Sequence, residues 1–125
     1  MRRLLRAIRG AIQIDRDQPE LVHEATRKLF RTLMEWNGLA ADQLVSLFFT
    51  MTPDLRSAFP AAAVREAGVG DVPMMCATEV AVPGALPRVI RLMAHVETAL
   101  DRAEIRHPYL TGAAQLRPDL VAEAR

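Results

Sequence analysis

The chain has 125 residues, half of them apolar, and its 16 basic and 15 acidic groups leave a net charge of +1. That is enough for one domain with one modest core, and the near-neutral balance argues against a nucleic-acid binder working through bulk charge. A single cysteine excludes an internal disulfide, His23, His95 and His107 are too widely spaced for a metal-ligand cluster, and no apolar run approaches a membrane span.

Fifteen of the basic residues are arginine and only Lys28 is lysine, a skew read as codon bias for most positions. The opening Met-Arg-Arg-Leu-Leu imitates the charged part of a signal peptide. Arg6 and Arg9 interrupt the apolar run and Asp15 and Asp17 follow, so the segment is read as mature protein in a reducing cytoplasm.

Leu4, Ile8, Ile12 and Ile14 fall on one face of a strand over 4–14, which leaves Arg9 on the other face among small residues. Asp17 is expected to cap a helix, with Glu20 completing a capping box. Val22, Ala25, Leu29, Leu33 and Trp36 would form the apolar stripe of that helix and Asn37-Gly38 its end. The β-rich run Leu44–Met51 reads as a strand that empties into the turn Thr52-Pro53-Asp54. Pro60 suits the first position of a short surface helix running to Ala67 and carrying Arg65. After a turn over 68–71, residues 72–80 read as another strand, with Pro73 near its start.

The stretch from Val72 to Val96 holds Cys76, Glu79 and Arg91 inside apolar runs. A guanidinium flanked by Val89-Ile90 and Leu92-Met93 needs an anion or several acceptors once it is taken from water. A structural Arg91–Glu79 ion pair and a functional anion site explain it equally well at this stage. Val89, Met93, Val96 and Leu100 fit a helix, while Ile90, Leu92, Ala94 and Val96 fit a strand, and periodicity alone does not choose. The strand would put Arg91, Met93 and His95 on a common face. Residues 105–110 and 113–116 suggest a strand pair around Gly112, and Arg117-Pro118 opens a tail.

Taken together, these pieces resemble one family. They are Ile8-Arg9-Gly10-Ala11, Thr52-Pro53-Asp54-Leu55, Phe59-Pro60-Ala61 with Ala63-Val64-Arg65-Glu66, Cys76 with Glu79, Ile90-Arg91, and Tyr109-Leu110 ahead of Leu116-Arg117-Pro118-Asp119-Leu120. The chain is similar to the trimeric, mixed α/β class of monofunctional chorismate mutases from about Arg6 to Leu120. The resemblance implies an α+β fold, with a mixed β-sheet and helices on one face, in a single domain over 1–125. It also implies a homotrimer forming a pseudo α/β barrel, with chorismate bound between subunits, and it makes 89–96 a strand. Carried over by motif, Arg91, Glu79 and Arg9 become catalytic residues. Tyr109, Cys76, Met75 and Leu116 join them around the substrate, and Phe59, Ala61 and Arg65 come from the next subunit. Ala62 stands where some relatives have lysine, and Met74 and Met75 replace smaller residues of some relatives.

The implied reaction breaks an ether C–O bond while forming a C–C bond in one concerted step. It needs no nucleophile, proton shuttle, metal or cofactor. It needs a dicarboxylate held in a compact conformer and compensation for the charge growing on the ether oxygen, and arginines supply both. The resemblance assigns Arg91 to the ether oxygen and a carboxylate, Arg9 and Tyr109 to carboxylate binding, and Glu79 with the Cys76 region to the substrate hydroxyl. The alternative is a non-catalytic trimer binding a small carboxylate, which would use the same arginines but gain nothing from Glu79. No nucleic-acid or membrane partner is expected.

Overall fold

The computed structural model describes residues 2–116. Its elements are β1 (Leu4–Gln13), α1 (Pro19–Trp36), β2 (Leu44–Met51), α2 (Pro60–Glu66), β3 (Met74–Thr78), β4 (Val89–Thr98) and β5 (Tyr109–Leu110), with short 3-10 turns between some of them. The strands form one five-stranded sheet in the order β3-β2-β4-β1-β5. β4 runs antiparallel to β1 and β2, whereas β3 lies parallel to β2 and β5 parallel to β1, so the sheet is mixed as expected.

Alternation along the strands divides the sheet into two faces. Ile8, Ile12, Leu47, Phe49, Ile90, Leu92, Ala94 and Val96 point to one side and are buried with Val22, Leu29 and Leu33 of α1 and Val64 of α2. Burying about a dozen such side chains, each contributing roughly 1.5–3 kcal/mol, drives the helices onto this face. A bulge between Leu44 and Ser46 lets Leu44 and Leu47 both turn inward, which strict alternation would forbid. The opposite face carries the odd-numbered residues of β1 and β4, and neither α1 nor α2 packs on it.

Segment 89–98 is a strand, paired with neighbours on both sides. Four other expectations need correction. Gln18, not Asp17, is the N-cap of α1, because Pro19, with its fixed φ and no N–H to satisfy, occupies the first helical position. The Asp17 carboxylate instead accepts the backbone N–H groups of Arg56 (3.0 Å) and Ser57 (3.1 Å). Trp36 leaves the apolar stripe and is 39% exposed, since the i+4 series Leu29–Leu33 continues to the buried Asn37. β3 is shorter than 72–80, although the Glu79 N–H still bonds to the Met51 carbonyl (2.8 Å) and prolongs the ladder by one contact. The last expected strand pair is replaced by the two residues of β5 and a 3-10 helix, Thr111–Leu116. Thr111 adopts φ +48°, and its hydroxyl accepts the Gln13 N–H (3.1 Å) and sits 2.8 Å from the Gln13 carbonyl, which ends the parallel pairing.

Candidate active site on the sheet face away from the two α-helices

Register brings the candidate residues into rows. Tyr109 of β5 lies opposite Ala11 of β1, Ala11 opposite Arg91 of β4, Arg91 opposite Thr50 of β2, and Thr50 opposite Ala77 of β3. Residues paired across a sheet share a face, so this row crosses all five strands on the side away from the helices. The next row holds Arg9, Met93, Phe48 and Met75. Tyr109, Ala11 and Val89 are buried together with Ala113 at one end of the face and give Arg91 an apolar flank.

Glu79 follows β3 and returns to this face. Its Oε2 accepts the Thr50 hydroxyl (2.7 Å) and lies 2.9 Å from Arg91 Nε, although that N–H is not aligned for a hydrogen bond. The ion pair foreseen in the sequence is therefore present, but it is not sealed. The Arg91 side chain is 34% exposed, and among the described residues its terminal nitrogens are engaged by no carboxylate or hydrogen-bond partner. The Arg9 guanidinium likewise has no carboxylate in salt-bridge reach among the described residues. Two guanidiniums and one carboxylate give the face excess positive charge, suited to a ligand carrying more than one negative charge. Concavities of about 300 Å³ and 320 Å³ adjoin Arg91, the first lined also by Arg9, Phe48, Thr50 and Met93, the second by Glu79, Val80 and Pro87. Among the described residues no group of histidine, cysteine and carboxylate side chains is arranged to hold a metal ion.

Residues 5–120 match the family described as Chorismate mutase type I. Chorismate mutase AroH of Thermus thermophilus is 48% identical over 118 residues, covering 94% of this chain and 97% of that protein. The chain belongs to this family. Chorismate mutase AroH of Bacillus subtilis is 40% identical over 118 residues, covering 94% of this chain and 93% of its own length. The solved chorismate mutase structure from Clostridium thermocellum superposes with a TM-score of 0.86 at 42% identity, covering 87% of this chain and 97% of that one.

Against the family expectation, one chain gathers Arg9, Arg91, Glu79, Tyr109 and Met75 on a single face and leaves the others elsewhere. Cys76 pairs with Phe49 and packs, half-buried, against the helix-side core, so its thiol is turned from Arg91. Phe59 is 70% exposed, Arg65 is exposed and Ala61 is buried, all at or on α2 in the helical layer. The Leu116 side chain and the whole of Arg117 lie outside the described residues.

Several contributors were not singled out in the sequence. Thr50, which holds the Glu79 carboxylate, is with Ser46 one of two polar residues in the apolar strand β2, a fainter form of the signal that drew attention to Arg91. Thr52 and Asp54, read as turn chemistry, also start β4. The Thr52 hydroxyl accepts the Val89 N–H (3.0 Å), and the Asp54 carboxylate accepts the Arg88 N–H (3.0 Å to Oδ2). Arg88 has φ +54°, a conformation costly for any residue with a Cβ, and these bonds hold it there three residues before Arg91.

Proposed function

We propose that the Arg91 face, closed by a neighbouring copy of the chain in a cyclic trimer, is where this chorismate mutase turns chorismate into prephenate. The observation that carries this reading is the pair of unspent guanidiniums, Arg9 and Arg91, beside a carboxylate fixed on one oxygen only. Arg91 directs a terminal N–H at the ether oxygen, where negative charge grows as the C–O bond lengthens, and binds a substrate carboxylate. A preorganised donor of this kind strengthens as the charge develops, so it lowers the barrier rather than merely tightening binding. Arg9 and the Tyr109 hydroxyl take substrate carboxylates and hold the compact conformer in which the two reacting carbons meet. Thr50 and Arg91 occupy Glu79 Oε2, which leaves Oε1 to accept the substrate hydroxyl. Bond breaking and bond making are concerted, so no side chain gains or loses a proton.

A neighbouring subunit supplies Phe59, Ala61 and Arg65, and Leu116 closes the cleft. Two observations support a second copy here. Arg65 and Phe59 are presented outward on the layer opposite Arg91, and Phe48, Met75, Val80 and Val82 are large apolar side chains left 39%, 64%, 84% and 59% exposed on and beside the site. Apolar surface of this kind, next to an incomplete site, fits burial against another copy in a heterologous contact. The same reading makes the chain one domain working in the cytoplasm.

The test is the loss of chorismate absorbance with purified protein, with prephenate identified as product. Turnover that falls on Arg91→Ala and leaves chorismate binding measurable is the expected result. Chorismate bound but unchanged by the wild-type protein would make the chain a carboxylate binder.

A further inference from the structure

We infer that His107 is a positioning residue for Arg9, its neutral imidazole fixing the backbone from which that guanidinium reaches the substrate. The Arg9 N–H donates to His107 Nδ1 at 3.0 Å. A backbone N–H can only donate, so Nδ1 must carry a lone pair and the ring proton must sit on Nε2. Arg9 lies two residues before Ala11, where the parallel pairing of β1 with β5 begins, so on this side the strand lacks a ladder partner there and the imidazole stands in for one.

The imidazole is itself held. Asn37, buried at the end of α1, accepts the Arg106 N–H (2.8 Å) and donates to the Arg106 carbonyl (2.9 Å). The Ala11 N–H then bonds to the Pro108 carbonyl (3.0 Å). His107 thus lies between two fixed points, and its side chain converts that anchorage into a position for Arg9. Tyr109 is secured separately, by its pairing with Ala11, so the consequence of losing the imidazole acceptor runs through Arg9.

The inference rests on the reading of Arg9 as a substrate-binding group, and the experiment separates the two. His107→Leu fills similar space without an acceptor, while His107→Asn returns an acceptor, Oδ1, near the place of Nδ1. On assembled protein of unchanged oligomeric mass, His107→Leu is expected to lower kcat/KM about tenfold, the scale of one lost hydrogen bond that places a charged group, and His107→Asn to stay within about threefold of wild type. The decisive measurement repeats His107→Leu on an Arg9→Ala background. There it should cost less than about twofold, because a group already removed cannot be misplaced. If the full tenfold cost persists on that background, or if Asn and Leu are equally impaired, His107 acts through the fold and the inference is overturned. If Arg9→Ala alone leaves kcat/KM unchanged, the reading of Arg9 itself fails. Should the Leu variant not assemble, His107→Gln, whose acceptor sits nearer the Nε2 position, takes its place in the same cycle with the same expected outcomes.

Discussion

In the function we propose, Arg91 faces a partner charge that exists mainly in the transition state, so its removal should appear in turnover rather than in binding. Arg91→Ala is expected to lower kcat by a factor on the order of a hundred or more, the range seen when an oxyanion donor is deleted, with the fold intact. Steady-state kinetics beside a thermal melt would check this, and a rise in KM alone would demote Arg91 to uniform binding. Gly10 gives a second test at the same scale. A Cβ built there would lie 2.7 Å from the Pro108 carbonyl oxygen and 3.0 Å from Leu29 Cδ1. Gly10→Ala must push the 107–109 segment off β1, and we expect it to cost about 1–3 kcal/mol of stability and to lower kcat/KM as well. Gly70→Ala, with nothing within 4 Å of the added carbon, is the matched control. Denaturant titration of the two variants should separate them.

Between elements, Asp17 ties the β1–α1 connection to the one between β2 and α2. The adjacent Ser57 hydroxyl, then the Arg56 and Ser57 backbone N–H groups, hold its carboxyl below the ordinary value of 3.8, against a smaller opposing effect of burial. Ser57 Oγ has no aligned hydrogen-bond partner among the described residues, so the two backbone bonds are the firmer geometry. A lowered folded pKa stabilises the native state above the ordinary carboxylate value and loses that contribution as pH falls through the folded one. The difference in melting temperature between wild type and Asp17→Asn should therefore be constant near neutrality and shrink below about pH 4. This carboxylate also shows where local sequence signals mislead. Asp17 followed three residues later by Glu20 has the spacing of a capping box, but Pro19 fixes the helix start and frees Asp17 for a long-range contact. Strand 89–98 could not be told from a helix by period alone, because what decides it is pairing with strands some forty and eighty residues earlier in the chain. Arg91 and Glu79 were legible as charged groups in apolar runs. Thr50 carried the same signal more faintly, and the acceptor role of His107 carried none, since a backbone N–H leaves no mark on composition.

For the assembled protein, the separation of Arg65 from Arg91 onto opposite layers makes a prediction that single-chain chemistry does not. Arg65→Ala and Arg91→Ala proteins should each be impaired. When they are denatured and refolded together, an Arg91-bearing chain can meet an Arg65-bearing neighbour, and random mixing leaves about a quarter of the seams intact in both residues. Activity should recover well above the sum of the separately refolded variants. Mixed trimers demonstrated by mass spectrometry of tagged chains, yet without recovered activity, would show that the two arginines do not act across a seam.

The pairing of β5 with β1 joins residues 98 positions apart, as between Ala11 and Tyr109. On a ribosome, β1 and α1 emerge early, but both sheet neighbours of β1 come late: one edge stays unpaired until 89–98 leave the exit tunnel and the other until 106–110 do. A nascent chain that has left the tunnel only as far as about residue 100 would hold β1 to β4 with both helices packed, yet β5 would not be paired with β1. The face that carries Arg9 and Tyr109 is therefore completed only after most of the core has formed. At about 5–20 residues per second, that leaves an interval of several seconds in which the exposed edge of β1 is open to a wrong partner.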